Sequence, residues 1–301
     1  MKKIIYIVGV LLFLVLISLA ISSSLNNFEK VQEDEILIIP INGIISNSGG
    51  GNIFESVTVT SDKINSLIKK AEENKNIKAV IFEINSPGGT VLASKEIADA
   101  VKKLDKPKVA LIRDVGASGA YWIASSADKI VADELSITGS IGVISSYLEF
   151  SELMGEYGIK YERLVSGEYK DAGSPYRELT SAERSLIQSK IDKIDQIFLS
   201  QVKESRNLTN TARIKTGEFF LGIEAKELGL VDYLGDKETA IEVAKELSNT
   251  KEAKLVEFKE RKSIFDVLSK INAESFYYLG RGIGASLYFE NKDNNLKINA
   301  I

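Results

Sequence analysis

Short apolar runs alternate with amphipathic segments in the first half of the chain, and this alternation limits the possible folds more than any other feature. Residues 78–84 and 108–113 are apolar runs of strand length, and residues 91–103 have the length and pattern of a helix. Apolar residues between Ile64 and Ala71 recur at i, i+3, i+4 and i+7, which is one face of a helix. Strands that alternate with helices predict an α/β domain with a largely parallel sheet.

A further helical pattern follows in the second half. Thr180-Ser-Ala-Glu183 is a capping box, which typically opens a helix. The predicted helix carries an apolar stripe, made of Ile187, Ile191, Ile194 and Phe198. The stripe is interpreted as part of the core or, alternatively, as a subunit interface. A shorter helix is predicted from Lys237, and residues 255–258 are a strand candidate in the tail.

Two absent residue types restrict the chemistry. The chain has 301 residues and contains neither cysteine nor histidine. Disulfides, thiolate metal sites and cysteine nucleophiles are therefore excluded, as are a Ser-His-Asp triad and a histidine acid or base. Hydrophobic residues make up 44% and charged residues 27%, which excludes disordered and multi-span membrane proteins. The net charge of −4 gives no basic field for nucleic acid.

The amino terminus predicts a membrane anchor. The run from Ile4 to Ser22 has no charged residue, and at about 1.5 Å per residue it reaches about 28 Å, close to the hydrocarbon core of a bilayer. Lys2 and Lys3 precede the run and mainly acidic residues follow it, so the amino terminus is expected in the cytoplasm and the rest across the membrane. A cleaved signal peptide, with Ser18-Leu19-Ala20 as the processing site, is the main alternative, and a buried soluble helix is a third.

Two glycine-rich loops follow predicted strands, at the ends where α/β proteins gather their sites. Ser118 lies in Gly116-Ala-Ser-Gly119, where small neighbours leave room for a substrate backbone. The amide of Gly119, with that of Gly88 or Gly89 from the other loop, is expected to form an oxyanion hole. A serine nucleophile needs a base, and without histidine a neutral, buried lysine is the candidate. Spacing alone does not choose among the many lysines.

Several motifs resemble signal peptide peptidase A. Three of them are Asn85-Ser-Pro-Gly-Gly89, Gly116-Ala-Ser-Gly-Ala-Tyr-Trp-Ile-Ala-Ser-Ser-Ala-Asp-Lys-Ile130 and Thr138-Gly-Ser-Ile-Gly-Val143. Two more are Ser166-Gly-Glu-Tyr-Lys-Asp-Ala-Gly-Ser-Pro-Tyr-Arg-Glu-Leu-Thr180 and Ala225-Lys-Glu-Leu-Gly-Leu-Val-Asp232. The likeness covers roughly residues 36–258 in the same order. It implies a Clp/crotonase-like fold of repeated ββα units behind an amino-terminal transmembrane helix.

The resemblance also implies a mechanism. It makes Ser118 the nucleophile and Lys170 the general base of a Ser-Lys dyad. Ser140 would orient the Lys170 amine, and Gly89 and Gly119 would donate the oxyanion hole. The chain resembles the short, single-repeat form of the family, in which subunits assemble to build complete sites. Two other roles stay open: Ser140 as a turn cap, and Lys170 as an ion-pair partner of Asp171, which would spoil the base.

The resemblance further implies a serine endopeptidase that degrades apolar remnants of cleaved signal peptides, without metal or cofactor. Its expected organisation is an anchor at residues 1–24, a peptidase domain at 25–250 and a tail at 251–301, with the tail as a candidate oligomerisation segment. We expect a homo-oligomer in the cell membrane, with a single span and an extracytoplasmic catalytic domain. Three alternatives remain: a Ser-Lys protease acting on a stomatin-like membrane partner, a crotonase-type acyl-CoA enzyme, and a non-catalytic membrane scaffold.

Overall fold

The computed structural model describes residues 12–18, 33–47 and 58–258. The strands are β1 Glu35–Asn42, β2 Ile44–Ser46, β3 Thr58–Thr60, β4 Ile77–Ser86, β5 Lys108–Ala117, β6 Lys129–Ala132, β7 Ile137–Gly139, β8 Phe219–Leu221, β9 Tyr233–Leu234 and β10 Lys254–Glu257. The labelled helices are α1 Ser61–Glu73, α2 Val91–Lys103, α3 Gly119–Ser125, α4 Ser151–Glu156, α5 Ser181–Ser205, α6 Thr211–Ile214, α7 Gly222–Glu227 and α8 Lys237–Ser248.

One eight-stranded sheet organises these elements. Six strands follow the order β10-β1-β4-β5-β6-β9, while β7 pairs with β5 and with β8. Among the strands that the structure describes in this sheet, only β8 runs antiparallel to its neighbour. The prediction of an α/β fold with a largely parallel sheet is confirmed.

Helices cover both faces of the sheet. One face packs against α1, α2, α3 and the end of α5, through a cluster that includes Phe82, Ile84, Ile112, Trp122 and Phe198. The other face packs against α8, through a smaller cluster that includes Ile81, Leu111, Val131, Ala240 and Val243. The central strand β4 therefore has buried side chains on both faces, which explains its nearly continuous apolar sequence.

Helix α5 begins where the capping box predicts. The Thr180 hydroxyl accepts the Glu183 amide, and the Glu183 carboxylate accepts the Thr180 amide in return. The apolar stripe, however, is not uniformly core. Phe198 is buried, whereas Ile187, Ile191 and Ile194 are half-buried. Only the second half of α5 therefore packs into the core.

Most of the predicted membrane anchor falls outside the described residues. Residues 12–18 are helical and exposed. Within the ranges that the structure describes, no helix combines the length and the apolar composition needed to cross a bilayer. The strand candidate in the tail forms as β10, which pairs with β1, and the tail beyond residue 258 also lies outside the described residues.

Candidate active site

A cleft of about 610 Å³ opens at the carboxyl ends of β4 and β5. Four of the five predicted site residues line it: Gly89, Ser118, Gly119 and Ser140. Its other lining residues are Pro87, Val91, Ser94, Trp122, Ile141, Gly142, Val143, Ile144, Gln188, Ile191, Asp192, Asp195, Lys215, Thr216 and Gly217. The fifth predicted residue, Lys170, is not among them.

Ser118 occupies a sharp turn between β5 and α3. Its backbone has φ 53° and ψ −124°, a left-handed conformation that is uncommon for a residue other than glycine. Such strain persists only where surrounding contacts enforce it, and it is frequent at active sites. One of those contacts is a hydrogen bond of 2.9 Å from the Ser118 amide to the Gly139 carbonyl. A serine on a strained strand-to-helix turn presents its hydroxyl at the edge of the sheet, as nucleophiles of hydrolases do.

The loop after β4 is fastened to the end of β5 by Asn85. The Asn85 side chain donates to Asp114 at 3.0 Å and accepts the Val115 amide at 3.2 Å. Gly88 then approaches the nucleophile turn very closely. A Cβ at Gly88 would lie 2.9 Å from the Gly119 nitrogen and 3.1 Å from the Ser118 Cβ, and its φ is +103°. Only glycine fits this position, which explains part of the loop's composition.

Gly89 and Gly119 line the cleft beside Ser118. Ile45 pairs with the residues on either side of Gly89, so the Gly89 amide points away from β2. The Gly88 amide donates to the Ser86 hydroxyl at 3.1 Å, which leaves Gly89 as the available donor in this loop. Gly119 is the first residue of α3, where amides have no intrahelical acceptor. A Cβ at Gly119 would lie 3.5 Å from the Gly89 nitrogen, so the two turns are in contact.

Ser140 lies across the cleft, directly after β7. Its φ is 49°, so the site contains two serines with left-handed backbones. The Ser140 amide donates to the Glu218 carbonyl at 2.9 Å, which ties the turn to the segment before β8. Ser140 also lines the cleft.

Lys170 lies in an exposed turn between α4 and α5, outside the cleft lining. It is not the ion-pair partner of Asp171 that the sequence left open. Both oxygens of the Asp171 carboxylate are instead bound by Arg163 and Arg177. Within one chain, the structure therefore brings together four predicted site residues, Ser118, Gly89, Gly119 and Ser140, but not the predicted base.

Several lining residues were not identified from the sequence. Lys215 follows α6 directly, and Gln188, Asp192 and Asp195 share one face of α5 with Ile191. Their spacing of four and three residues is visible in the sequence, but it does not reveal which element the face opposes. Trp122, the only tryptophan of the chain, also lines the cleft. It stacks on Phe198 with ring centroids 4.5 Å apart and donates to Gln201 at 2.7 Å.

The fold and this cleft define a class. A mixed α/β fold with a parallel sheet and a strained serine in a cleft fit a ClpP-like serine protease. The description "ClpP-like SDH-type serine proteinase" matches residues 29–148, and "Peptidase family S49" matches residues 100–251. The chain belongs to peptidase family S49 and is a serine protease.

Relatives agree with this assignment. A protein of Methanocaldococcus jannaschii that is named as a protease is 34% identical over 98% of this chain and 98% of its own length. A protein of Enterococcus faecium named as signal peptide peptidase SppA is 34% identical, covering 77% of this chain and 69% of its own. The chloroplastic serine protease SPPA of Arabidopsis thaliana is 32% identical over 80% of this chain and 37% of its own.

Proposed function

We propose that this protein is a membrane-anchored endopeptidase that hydrolyses peptide bonds with a Ser118–Lys170 dyad. The observation that carries the proposal is the strained turn of Ser118, which lies in the cleft beside Gly89 and Gly119. A hydroxyl next to two convergent amides suits attack on a carbonyl whose oxygen becomes negatively charged.

Hydrolysis would proceed through an acyl-enzyme on Ser118. The neutral amine of Lys170 takes the Ser118 hydroxyl proton while Oγ bonds to the scissile carbonyl carbon. The amides of Gly89 and Gly119 stabilise the resulting oxyanion, and Ser140 accepts or donates a hydrogen bond that orients the amine. The C–N bond then breaks, and Lys170 gives its proton to the leaving nitrogen. Water attacks the acyl-enzyme while Lys170 takes its proton. The ester bond to Ser118 Oγ then breaks, and Lys170 returns that proton to Oγ, which restores the hydroxyl and the neutral amine.

We propose that Lys170 reaches the cleft of a neighbouring subunit. Lys170 is exposed and outside the cleft of its own chain. The segment between β7 and α5 that carries it also exposes large apolar side chains: Ile144 is 89% exposed, Leu148 73% and Leu164 97%. Large apolar side chains exposed along one segment favour an interaction site. A second copy that covers this segment would bury the lysine, as a neutral amine requires.

The substrate class follows from the cleft and from the amino terminus. Val91, Ile141, Val143 and Ile144 give the cleft an apolar wall, which suits extended apolar peptides such as signal-peptide remnants. The uncharged run from Ile4 to Ser22 would hold the enzyme in the membrane where these remnants arise. The lysines before the run favour a catalytic domain on the extracytoplasmic side. The Enterococcus faecium relative bears the name signal peptide peptidase, which supports the same substrate.

The test follows cleavage of an apolar signal-peptide library by mass spectrometry, using the full chain in detergent from neutral to alkaline pH. We expect Ser118→Ala and Lys170→Ala to lose cleavage, and Lys160→Ala, an exposed lysine of the same segment, to retain it. Parent activity that persists in Ser118→Ala would refute the dyad. Cleavage of a stomatin-like membrane protein, with none of the library, would refute the substrate.

A mixing experiment tests the shared site. If Lys170 acts in a neighbouring subunit, an equal mixture of Ser118→Ala and Lys170→Ala chains regains about a quarter of parent activity, because half the sites keep the serine and half of those receive an intact lysine. If Lys170 acts within its own chain, the assembled mixture remains inactive.

A further inference from the structure

Four charged side chains form a cluster directly beside Lys170. Arg163 donates to both Asp171 oxygens, at 2.7 and 2.8 Å. Arg177 approaches the same carboxylate from the other side, at 2.9 and 3.0 Å. Arg177 also donates to Glu183 at 2.8 Å. The cluster therefore joins the turn that contains Lys170 to the first turn of α5.

The cluster includes a buried residue in the first turn of α5. Glu183 is only 2% exposed and forms the capping box with Thr180. Asp171 is 16% exposed and Arg177 19%, so neither is an ordinary surface charge. Hydrogen bonds from Arg163, and then from Arg177, hold the pKa of Asp171 well below its usual range. Asp171 is consequently a carboxylate throughout the pH range in which a protease works.

A carboxylate next to a lysine base opposes catalysis. Its charge stabilises the ammonium form, whereas a general base must be neutral. Here the charge of Asp171 is compensated by Arg163 and Arg177. Besides Lys170, the turn and the cluster contain five charged residues: Arg163, Glu168, Asp171, Arg177 and Glu183. Arg163 also donates to the Glu168 carbonyl at 2.8 Å.

We propose that Arg163 and Arg177 are positioning residues for Lys170. By binding both oxygens of Asp171, they fix the turn that carries the lysine and prevent the carboxylate from stabilising its ammonium form. This inference rests on the proposed role of Lys170 as the base. It holds whether that lysine serves its own chain or a neighbour, because the whole cluster belongs to the same chain as Lys170.

The test is the pH dependence of kcat/KM in the full-length, assembled protein. Arg163 is one third exposed, so Arg163→Gln leaves the Arg177–Glu183 link intact. In Arg163→Gln, we expect the acid limb of the pH profile, where kcat/KM rises with pH, to move to higher pH by about half a unit. This shift lowers kcat/KM at neutral pH roughly three-fold. Adding Asp171→Asn removes the unmasked charge and returns the limb to the parent position or below. If the arginines had a purely structural role, both variants would lose activity, but the acid limb would not move up in the single variant and back in the double variant.

Arg113→Gln is the matched control. Arg113 also pairs with a carboxylate, Glu83 at 3.7 Å, but far along the chain from the cluster, and this variant should leave the limb unchanged. Asp171→Asn alone is the second variant, and its limb should lie at or below the parent position even if the turn loosens and the maximal rate falls. The inference is overturned if Arg163→Gln leaves the limb in place, or if the double variant keeps the shift of the single one.

The two proposals fail in different ways. If Lys170→Ala retains the parent rate and pH profile, the proposed function is wrong, and this inference with it. If Lys170→Ala is inactive while every cluster variant keeps the parent limb, the dyad stands and only the role of the arginines is refuted.

Discussion

The amide of Ser118 donates to the carbonyl of Gly139, across 2.9 Å between the ends of β5 and β7. This bond joins the turn of Ser118 to Gly139, the residue before Ser140. The two serines with left-handed backbones are therefore held next to each other. A strand end, rather than a flexible loop, thus fixes the direction of the Ser118 backbone. The backbone geometry at Ser118 is therefore a consequence of strand pairing.

Close packing behind Gly119 gives the first prediction. A Cβ at Gly119 would lie 2.2 Å from the Ser94 hydroxyl oxygen, which is buried. Gly119→Ala must therefore displace either the buried Ser94 side chain or the first turn of α3 with its amide. We expect kcat/KM to fall by roughly 10²–10³, the usual effect of losing one oxyanion donor.

The Ser94 hydroxyl has no hydrogen-bond partner in the described structure, so removing it alone should not harm folding. Ser94→Ala combined with Gly119→Ala should recover about ten-fold of the lost activity, since the two sites are in contact. Steady-state kinetics of the four proteins in this cycle provide the measurement. Equal rates for the double variant and Gly119→Ala would show that the contact is not the cause.

Lys106 gives a prediction about stability. Its ammonium donates to the carbonyls of Ala71, Asn74 and Ile77 at 2.7, 2.7 and 2.9 Å, at the end of α1 and the start of β4. Burial lowers the pKa of Lys106. Lys106→Met leaves three carbonyls without their donor and should cost about 1–3 kcal/mol of unfolding free energy.

Urea unfolding, followed by circular dichroism, measures this difference. Lys103→Met, at an exposed position in the last turn of α2, is the control and should change stability by no more than about 0.5 kcal/mol. A Lys106→Met protein as stable as this control would mean that the three bonds contribute nothing to folding.

Acid stability depends on Glu183. Hydrogen bonds from Arg177, and then from the Thr180 amide, lower the pKa of Glu183 from 4.5 to about 2. The folded state therefore binds the proton less tightly than the unfolded chain does. The stabilisation is fully present above pH 4.5 and is lost as the pH falls toward about 2.

Glu183→Gln removes this titration, so its stability should fall less steeply than the parent's over the same pH range. Thermal melts recorded across that range measure the two slopes, with Glu156→Gln, an exposed residue of α4, as the control. Parallel slopes for parent and Glu183→Gln would contradict the role of Arg177 in holding this carboxylate.

The parts of the site that the sequence predicts are those that local rules determine. Parallel strands end at one edge of a sheet, so the glycine loops of Gly89 and Gly119 were expected to meet beside Ser118. The capping box at Thr180 was likewise visible, because it depends only on residues three apart. The fold class followed from the alternation of strand-length apolar runs with helical apolar patterns.

Other parts depend on contacts that no local pattern encodes. The half-buried position of Ile191 differs from that of Phe198, although both belong to one helical stripe, because the core ends midway along α5. Lys215 enters the cleft through the turn after α6, where nothing in its neighbourhood distinguishes it from a surface lysine. The role expected for Lys170 rests on a family resemblance, and no local pattern indicates that this residue lies outside the cleft lining of its own chain.

The most direct test of the central claim is to trap the acyl-enzyme. Full-length protein is mixed with an activated ester of an apolar peptide, quenched in acid within the first turnover, digested and analysed by mass spectrometry. The account predicts a covalent adduct of the acyl portion on the peptide that contains Ser118, which is absent in Ser118→Ala and greatly reduced in Lys170→Ala. Turnover with the adduct on another residue, or the same adduct in Ser118→Ala, would contradict it.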